Sequence, residues 1–477
     1  MLESPLLRDH LSRMIKRLKK LLSSKSNKAT QGKATQGPRR IAADSHGLHP
    51  GTISHGARDV VEKLSAAGYQ AYVVGGCVRD ALLGQHPKDF DVATDATPEQ
   101  VKTVFRRARI IGRRFKIVHV RYGREIVEVT TFRAPHTGST SRSPDAHKKP
   151  RKRAEHSQRS DAGMLLRDNV FGSLEEDAVR RDFTINALYY QPEENLLLDF
   201  VNGLDDIENQ TLRMIGDPAT RYREDPVRML RAARFAAKLN FQMDAATLAP
   251  LRELHGLIEE VPAARLFDEV LKLLMKGDAL STYEILTEFQ IFTHLFPDTA
   301  RAMKDNDAYE TFIRQALTNT DLRIQAAQHV TPAFLLGALL WPAVEVLRAQ
   351  HIAAGMPPAV AFNKASAEII RREVQHIAIP KRFSVPMREI WDLHLRLSNR
   401  GGNRALQLLE LPRFRAAYDF VLLREQAGED LGGLGDWWTT FQEADEDTRQ
   451  QMSSAIKSGP RRKRRSGRKR SAQPTSP

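Results

Sequence analysis

The sequence predicts an α+β architecture, with a small head of mixed sheet and helices followed by an elongated, almost wholly helical region. Three observations carry that prediction. Strand-like and helix-like segments alternate between residues 55 and 135, and a glycine pair breaks the chain at the first strand-to-helix junction. From about residue 202 onwards apolar residues recur at helical spacing with few strand signals. The chain has 477 residues, 41% of them hydrophobic, and so can bury substantial cores. At roughly 100–200 residues per domain it should form about two to four domains.

Taken in order, residues 1–50 read as a basic, partly disordered extension. Its opening, MLESPLLRDHLSRMIKRLKKLLSSK, sets Leu, Ile and Met at helical spacing with Arg and Lys between them. Such a helix suits an anionic membrane surface or RNA as well as plain solvent. It lacks the apolar core and cleavage site of a signal peptide. No apolar run is seen to approach the ~20 residues that span a bilayer. Residues 24–50, rich in Ser, Gly, Lys, Gln and Thr, read as a linker.

The head is expected over 51–201. A helix near 55–67 leads into the strand Ala71–Val74, and Gly75-Gly76 opens a helical VRDALLG. The strand DFDVAT, the helix TPEQVKTVFRRA and the strands IGRRFKIVHVRYG and EIVEVTTFR follow. A polar, basic insertion occupies 136–160. A helical neck is predicted over 202–275 and a helical body over 276–450, with a Gly-rich break at 425–435. Residues 451–477 form a basic tail ending in GPRRKRRSGRKRSAQPTSP. No internal repeat of useful length is present.

A net charge of +15 and a pI of about 9.8 call for a polyanionic partner. The single cysteine, Cys77, excludes an intramolecular disulfide framework and a cysteine-based zinc cluster. It fits a reducing, cytoplasmic location. The histidines are scattered without metal-ligand spacing.

The most informative stretch is GGCVRDALLGQHPKDFDVAT. Asp89 and Asp91 are two apart in a strand-like segment, so their side chains leave the same face. Adjacent carboxylates repel unless a cation neutralises them. Magnesium suits the role, because it prefers oxygen ligands and keeps sites open for water or phosphate. Two such ions, about 3.5–4 Å apart, activate an attacking hydroxyl and stabilise a departing pyrophosphate. Upstream, Gly75 and Gly76 allow backbone amides to approach a phosphate at a helix N-terminus. Arg79 adds a fork of donors for triphosphate oxygens. Asp-x-Asp alone is more often a solvated turn, and the glycine loop is what makes the pattern specific.

GG-x-V-R-D followed by K-D-F-D-V-A-T resembles the head of the class II nucleotidyltransferases, the group of CCA-adding tRNA enzymes and bacterial poly(A) polymerases. The resemblance runs closely from about Ala71 to Leu239 and more loosely beyond. It implies a nucleotidyltransferase head and makes Asp89 and Asp91 the catalytic metal ligands.

RRDFTINALYY, Arg180–Tyr190, reads as a helix that puts Asp182, Asn186 and Tyr189 on one face, with Asp182 a candidate N-cap. The resemblance matches it to an R-R-D-x-x-x-N motif near the nucleotide sugar and triphosphate and implies that Asp182 is a third catalytic carboxylate. Glu128, on a neighbouring strand, is a second candidate. RYREDPVRMLRAARFAAKL, residues 221–239, opens with an N-cap-like Asp225-Pro226 and sets Glu224 and Asp225 within helical reach of Arg228. These three match the family's E-D-x-x-R motif, which implies that they read the incoming base. An adenine edge offers an amino donor to a carboxylate and a ring acceptor to an arginine, but so does cytosine.

Three features favour the poly(A) polymerase branch over CCA addition. IIGRRFKIVHV, 110–120, resembles its GRRF-x-x-x-HV segment, and residues 165–190 resemble the same subgroup almost without a gap. The third is physical: a tailing enzyme must hold growing single strands, and clustered Lys and Arg do so without reading sequence. The C-terminal run from Arg461 to Arg470 is such a cluster, and Lys148, Lys149, Arg151, Lys152 and Arg153 in the insertion form another. EEVPAARLFDEVLKLL and AIPKRF resemble neck and body segments, with core packing as their plain role. Cys77 reads as a small packed side chain.

The resemblance therefore implies template-independent addition of AMP from ATP to RNA 3′ ends, with two Mg²⁺ ions. RNA-decay proteins and an anionic membrane surface are compatible further partners. A CCA-adding enzyme and a catalytically silent RNA-binding protein on the same scaffold are the alternatives.

Overall fold

The structure is a computed structural model that describes residues 37–112, 116–134, 157–159, 165–168 and 170–456. The amphipathic N-terminal segment, the Arg113–Phe115 stretch, most of the 136–160 insertion and the basic tail from residue 457 lie outside the described residues.

The described chain opens with β1 (Arg39–Ile41) and the single turn α1 (Ala43–His46). Composition assigns these residues to a linker. A three-residue strand that buries only Ile41 leaves too little alternation to read, yet it pairs with β10 (Leu196–Asp199) at the sheet edge. Helix α2 (His55–Ala66) starts where the Ser54 hydroxyl accepts from the Ala57 amide. Its buried Ala57, Val60, Val61 and Leu64 follow the i, i+3, i+4 pattern of an amphipathic helix. At about 1.5–3 kcal/mol for each fully buried aliphatic side chain, that stripe suffices to hold the helix on the sheet.

Strand β2 (Ala71–Val74) then runs into helix α3 (Gly76–Leu82). Next come β3 (Phe90–Thr94), α4 (Pro98–Val104), β4 (Arg109–Ile111), β5 (Ile117–Tyr122) and β6 (Glu125–Thr131). A reciprocal Thr97–Gln100 capping box starts α4. Two short strands, β7 (Ser157–Arg159) and β8 (Leu165–Asp168), pair antiparallel with each other. Helix α5 (Leu174–Arg180) begins with a second capping box, Ser173–Glu176. It is followed by β9 (Leu188–Gln191) and β10.

The eight strands of the main sheet lie in the order β1-β10-β9-β2-β3-β6-β5-β4. β3 and β6 are parallel, and the other neighbours are antiparallel. The mixed sheet with helices followed by a helical region agrees with the fold class that the sequence predicts.

Helix α6 (Gly203–Glu208) packs so closely that a Cβ on Gly203 would lie 2.3 Å from the Thr184 carbonyl oxygen. Beyond it, α7 (Pro218–Glu224) and α8 (Val227–Leu239) open the helical region, and α8 buries Val227, Met229, Leu230, Ala232, Ala233, Phe235 and Ala236. Farther on, Pro332–Ala353 packs against Pro358–His376 and Lys381–Arg396, with Trp391 Nε1 donating to the Gly337 carbonyl at 3.0 Å. Pro332–Ala353 is long and apolar enough to cross a bilayer, contrary to the sequence reading. Yet 61% of its apolar window is buried inside the protein, as for the core helix of a helical body.

Candidate active site

The register of the sheet assembles the site. Val74 pairs with Asp91, Asp91 with Glu128, and Glu128 with His119, forming one row across β2, β3, β6 and β5. Residues in such a row project to the same face, so Asp91 and Glu128 stand side by side. Gly75, at the end of β2, has φ 85°, a conformation that favours glycine. A Cβ there would lie 3.7 Å from both Asp91 Oδ2 and Arg181 Nη1, so the glycine turn and the carboxylate meet. Asp89 lies at the bend just before β3 and is exposed, so only Asp91 of the pair sits within the strand.

Burial pushes the Asp91 carboxyl up to about 6, and the charges of Glu128 and Asp89 add to the push while Arg181 opposes it. His119 Nε2 approaches Glu128 Oε1 at 3.4 Å. Among the described residues, no group of three or more His, Cys, Asp or Glu side chains closes around a common point. The oxygen-only donors Asp89, Asp91 and Glu128 nevertheless suit a hard divalent cation, which would relieve the crowding that raises Asp91.

Arg79 and Asn186, both expected at the nucleotide, meet each other instead. Arg79 is 2% exposed, donates to Asn186 Oδ1 at 2.6 Å and holds Asp80 Oδ1 at 2.8 and 2.5 Å through Nε and Nη2. Its guanidinium lies 5.0 Å from the centre of the Phe235 ring. At the glycine turn Arg79 Nη2 lies 3.5 Å from where a Cβ on Gly76 would stand, and Gly75 meets a second guanidinium, that of Arg181. Asp177 and Tyr189 hold it, and although burial opposes its charge, those two partners keep it firmly cationic.

The Arg180–Tyr190 segment is not the helix that its spacing predicts. Helix α5 ends at Arg180, Thr184–Asn186 makes one 3₁₀ turn and β9 begins at Leu188. Phe183 and Ile185, then Leu188 and Tyr190, enter the core as two pairs spaced by two, so the strand period competes with the helical one. Asp182 is therefore no helix N-cap. Its Oδ2 takes Arg231 at 2.6 and 2.5 Å, and its Oδ1 accepts from the Phe183 amide and Asn186. Burial works to raise Asp182, but Arg231 outweighs it and brings the carboxyl down to about 2. The charges acting on Asp91 are Glu128, Arg181 and Asp89, so the geometry groups Glu128 with the aspartate pair and Asp182 with Arg231.

At the α7–α8 junction Asp225 follows the last turn of α7, and Pro226 precedes α8. Glu224 Oε2 sits 3.1 Å from both Arg221 and Arg228, the i,i+4 contact expected for Arg228. Asp225 turns away to a two-fold 2.7 Å pair with Arg265, on the helix Ala263–Leu274. Arg221 also donates to the carbonyls of Arg180 and Arg181, and burial beside Arg228 lowers it to about 10.

Arg181 lies inside the Arg180–Tyr190 motif, where the sequence gives it no role of its own, while Arg231 and Arg265 carry no local signal. They are ordinary helix residues, 49 and 40 positions from their partners.

Three segments match family descriptions: residues 71–213 the poly A polymerase head domain, 240–303 the probable RNA and SrmB-binding site of polymerase A, and 354–471 the polymerase A arginine-rich C-terminus. Poly(A) polymerase I of Salmonella typhimurium is 45% identical over 463 residues, covering 96% of this chain and 97% of its own. A CCA-adding enzyme of Enterococcus faecalis is 38% identical over 219 residues, covering 46% of this chain and 48% of its own. Among solved structures, the Thermotoga maritima CCA-adding enzyme complexed with tRNA shares the fold. Its TM-score is 0.55 at 17% identity, covering 86% of this chain and 87% of the other.

Proposed function

Since the chain belongs to the poly(A) polymerase I family, we propose that its head carries out ATP-dependent extension of RNA 3′ ends at the face shared by Asp89, Asp91 and the glycine turn. The protein is a nucleotidyltransferase of the poly(A) polymerase type, with ATP as its expected substrate and a divalent metal as its expected cofactor. CCA addition is the weaker reading, because curated relatives of that name match under half of the chain in sequence.

In the reaction, the RNA 3′-oxygen forms a bond to the α-phosphorus of ATP, the bond from that phosphorus to the oxygen bridging to the β-phosphate breaks and releases pyrophosphate, and the hydroxyl proton passes to solvent. Asp89 and Asp91 would hold the metal, two Mg²⁺ ions in this reading, and Glu128 is the better-supported third carboxylate. Such ions, when bound, would lower the pKa of the attacking hydroxyl and neutralise charge on the departing pyrophosphate. Gly75 and Gly76 leave room for phosphate against the backbone, and Arg181 faces that turn. Arg79 and Asn186 act as its support. Asp182 orients Arg231 and the start of the 3₁₀ turn. Glu224, Asp225 and Arg228 face the base, with Arg265 fixing the orientation of Asp225.

The five-part division of the chain is kept in this reading, with the head starting at Arg39. Single-stranded RNA is the macromolecular substrate, bound by the helical region and the basic tail. RNA-decay proteins, an anionic membrane surface and a cytoplasmic location complete the proposal.

One observation carries the reading: Asp91 stands beside Glu128 and at the Gly75 turn, in a family of adenylyltransferases. The test is incubation of the full chain with unstructured RNA, Mg²⁺ and one nucleotide at a time. Long ladders with ATP alone are expected. Growth that needs CTP and halts after a few additions would favour the CCA-adding alternative, and no Mg²⁺-dependent pyrophosphate release would favour a silent RNA-binding scaffold.

A further inference from the structure

Helix α8 carries a row of cations at helical spacing, Arg228, Arg231, Arg234 and Lys238, and three of the four have a carboxylate. Arg228 takes Glu224, Arg231 takes Asp182, and Lys238 reaches Asp80 at 2.9 Å. Arg234 has no ion-pair or hydrogen-bond partner among the described residues, and its Nε is buried without an acceptor. Its guanidinium stacks 4.6 Å from the centre of the Phe235 ring, the same ring that Arg79 and Arg231 approach at 5.0 and 5.2 Å. Three guanidiniums thus crowd one aromatic ring. The acids whose charge reaches Arg234 are already engaged, Asp182 by Arg231 and Glu269 by Lys272 at 2.8 Å.

A half-buried cation without an anion is costly to keep. Burial and the neighbouring Arg231 both weaken the hold of Arg234 on its proton. The site also belongs to the catalytic region through Arg79, whose Nη2 lies 3.5 Å from where a Cβ on Gly76 would stand. A missing anion is the simplest completion of this cluster, and a planar fork of donors suits phosphate oxygens.

We propose that Arg234 is a phosphate ligand of the polymerisation reaction, completing its ion pair only when a phosphate reaches the guanidinium cluster around Phe235. The inference rests on the poly(A) polymerase reading and adds a residue to which the sequence assigns no role. The phosphate comes from the nucleotide triphosphate and its pyrophosphate product or from the terminal phosphodiesters of RNA, two sources of the same chemistry.

The test uses the full chain with Arg234→Met and Arg234→Lys. Four quantities are measured: thermal midpoint without ligand, affinity for magnesium pyrophosphate, affinity for a non-hydrolysable ATP analogue, and salt-dependent affinity for a 3′-deoxy oligoribonucleotide. Arg234→Met should leave the midpoint unchanged or higher, because it removes an unpaired charge, while weakening phosphate binding about tenfold. Arg234→Lys keeps the charge but loses the fork and should weaken it about threefold. Losses confined to pyrophosphate and the ATP analogue, with KM for ATP raised more than kcat is lowered, identify the triphosphate. Losses confined to RNA, with the logarithmic salt slope smaller by about one, identify a phosphodiester. If Arg234→Lys binds every probe within the wild-type error, the proposal fails, and a lowered midpoint with intact binding would make Arg234 a packing residue. A wild-type chain that binds neither ATP nor pyrophosphate would strike the poly(A) polymerase reading itself.

Discussion

The face of the sheet at β3 and β6 and the start of the helical region at α7 and α8 handle charge in opposite ways. At the sheet, Asp89, Asp91 and Glu128 crowd together with one nearby guanidinium, Arg181, and Asp91 is raised as a result. At α7 and α8 each acid has its own cation: Glu224 faces Arg221 and Arg228, Asp225 faces Arg265, and Asp182 faces Arg231. Unbalanced acid calls for a cation from outside. Balanced acid fixes the shape of a surface before any ligand arrives. The first arrangement suits chemistry and the second suits recognition, and Arg234 is the point where the second region becomes unbalanced with the opposite sign.

The largest expected effect comes from breaking the unbalanced side. Asp91→Asn should lower tailing by more than about 10³-fold, because the transition-state charge loses its metal-holding carboxylate, while RNA affinity stays within about twofold. Asp89→Asn should behave alike. Primer extension and filter binding on the same preparations check both, and near-normal extension by either variant refutes the metal assignment. The neutral side chains also relieve crowding, so the thermal midpoint should hold or rise.

Glu128→Gln distinguishes the two candidates for the third carboxylate. If the sheet register decides the matter, this variant should lose about 10–10³-fold in kcat with little change in stability. Asp182→Asn acts on the balanced side. It should cost about 2–3 kcal/mol of stability by leaving Arg231 with an uncompensated charge, less than for a fully dry pair because Arg231 is 31% exposed. The acid lies below its ordinary value in the folded chain. Its contribution is therefore present above the unfolded carboxylate range and is lost as pH falls from about 4 towards 2. Denaturant melts at neutral pH and at pH 3 measure both effects, and a difference between variant and wild type that persists undiminished at low pH would count against the ion pair as its source.

The same contrast explains how much was legible in the sequence. The glycine turn, Asp91 and the β2–α3–β3 order could be read because strand period, helix period and turn chemistry are local. Asp182 illustrates the limit: the sequence marks it as special, but its chemistry is decided by Arg231, 49 positions away on another element. Arg79 illustrates the converse, since a motif position suggested contact with phosphate while Asn186, 107 positions away, occupies the guanidinium. Balanced networks are built from long-range pairs and leave little trace in spacing, whereas a carboxylate pair at the entry to one strand records itself within three residues.

The smallest effect sharpens the comparison most finely. Lys238 crosses from α8 to Asp80 on α3 at 2.9 Å, with side chains 34% and 17% exposed, and this resembles a latch between the helical region and the head. Asp80 keeps two donors from Arg79 when Lys238 is removed, so no charge is stranded. Lys238→Met should therefore cost only about 0.5–1 kcal/mol, and less at high salt. A loss several times larger, seen in a denaturant melt and undiminished at high salt, would mean that Arg79 alone does not satisfy Asp80. The balanced side would then be a cooperative network rather than a set of separate pairs, and double variants with Asp182→Asn would reveal the coupling as a departure from additivity.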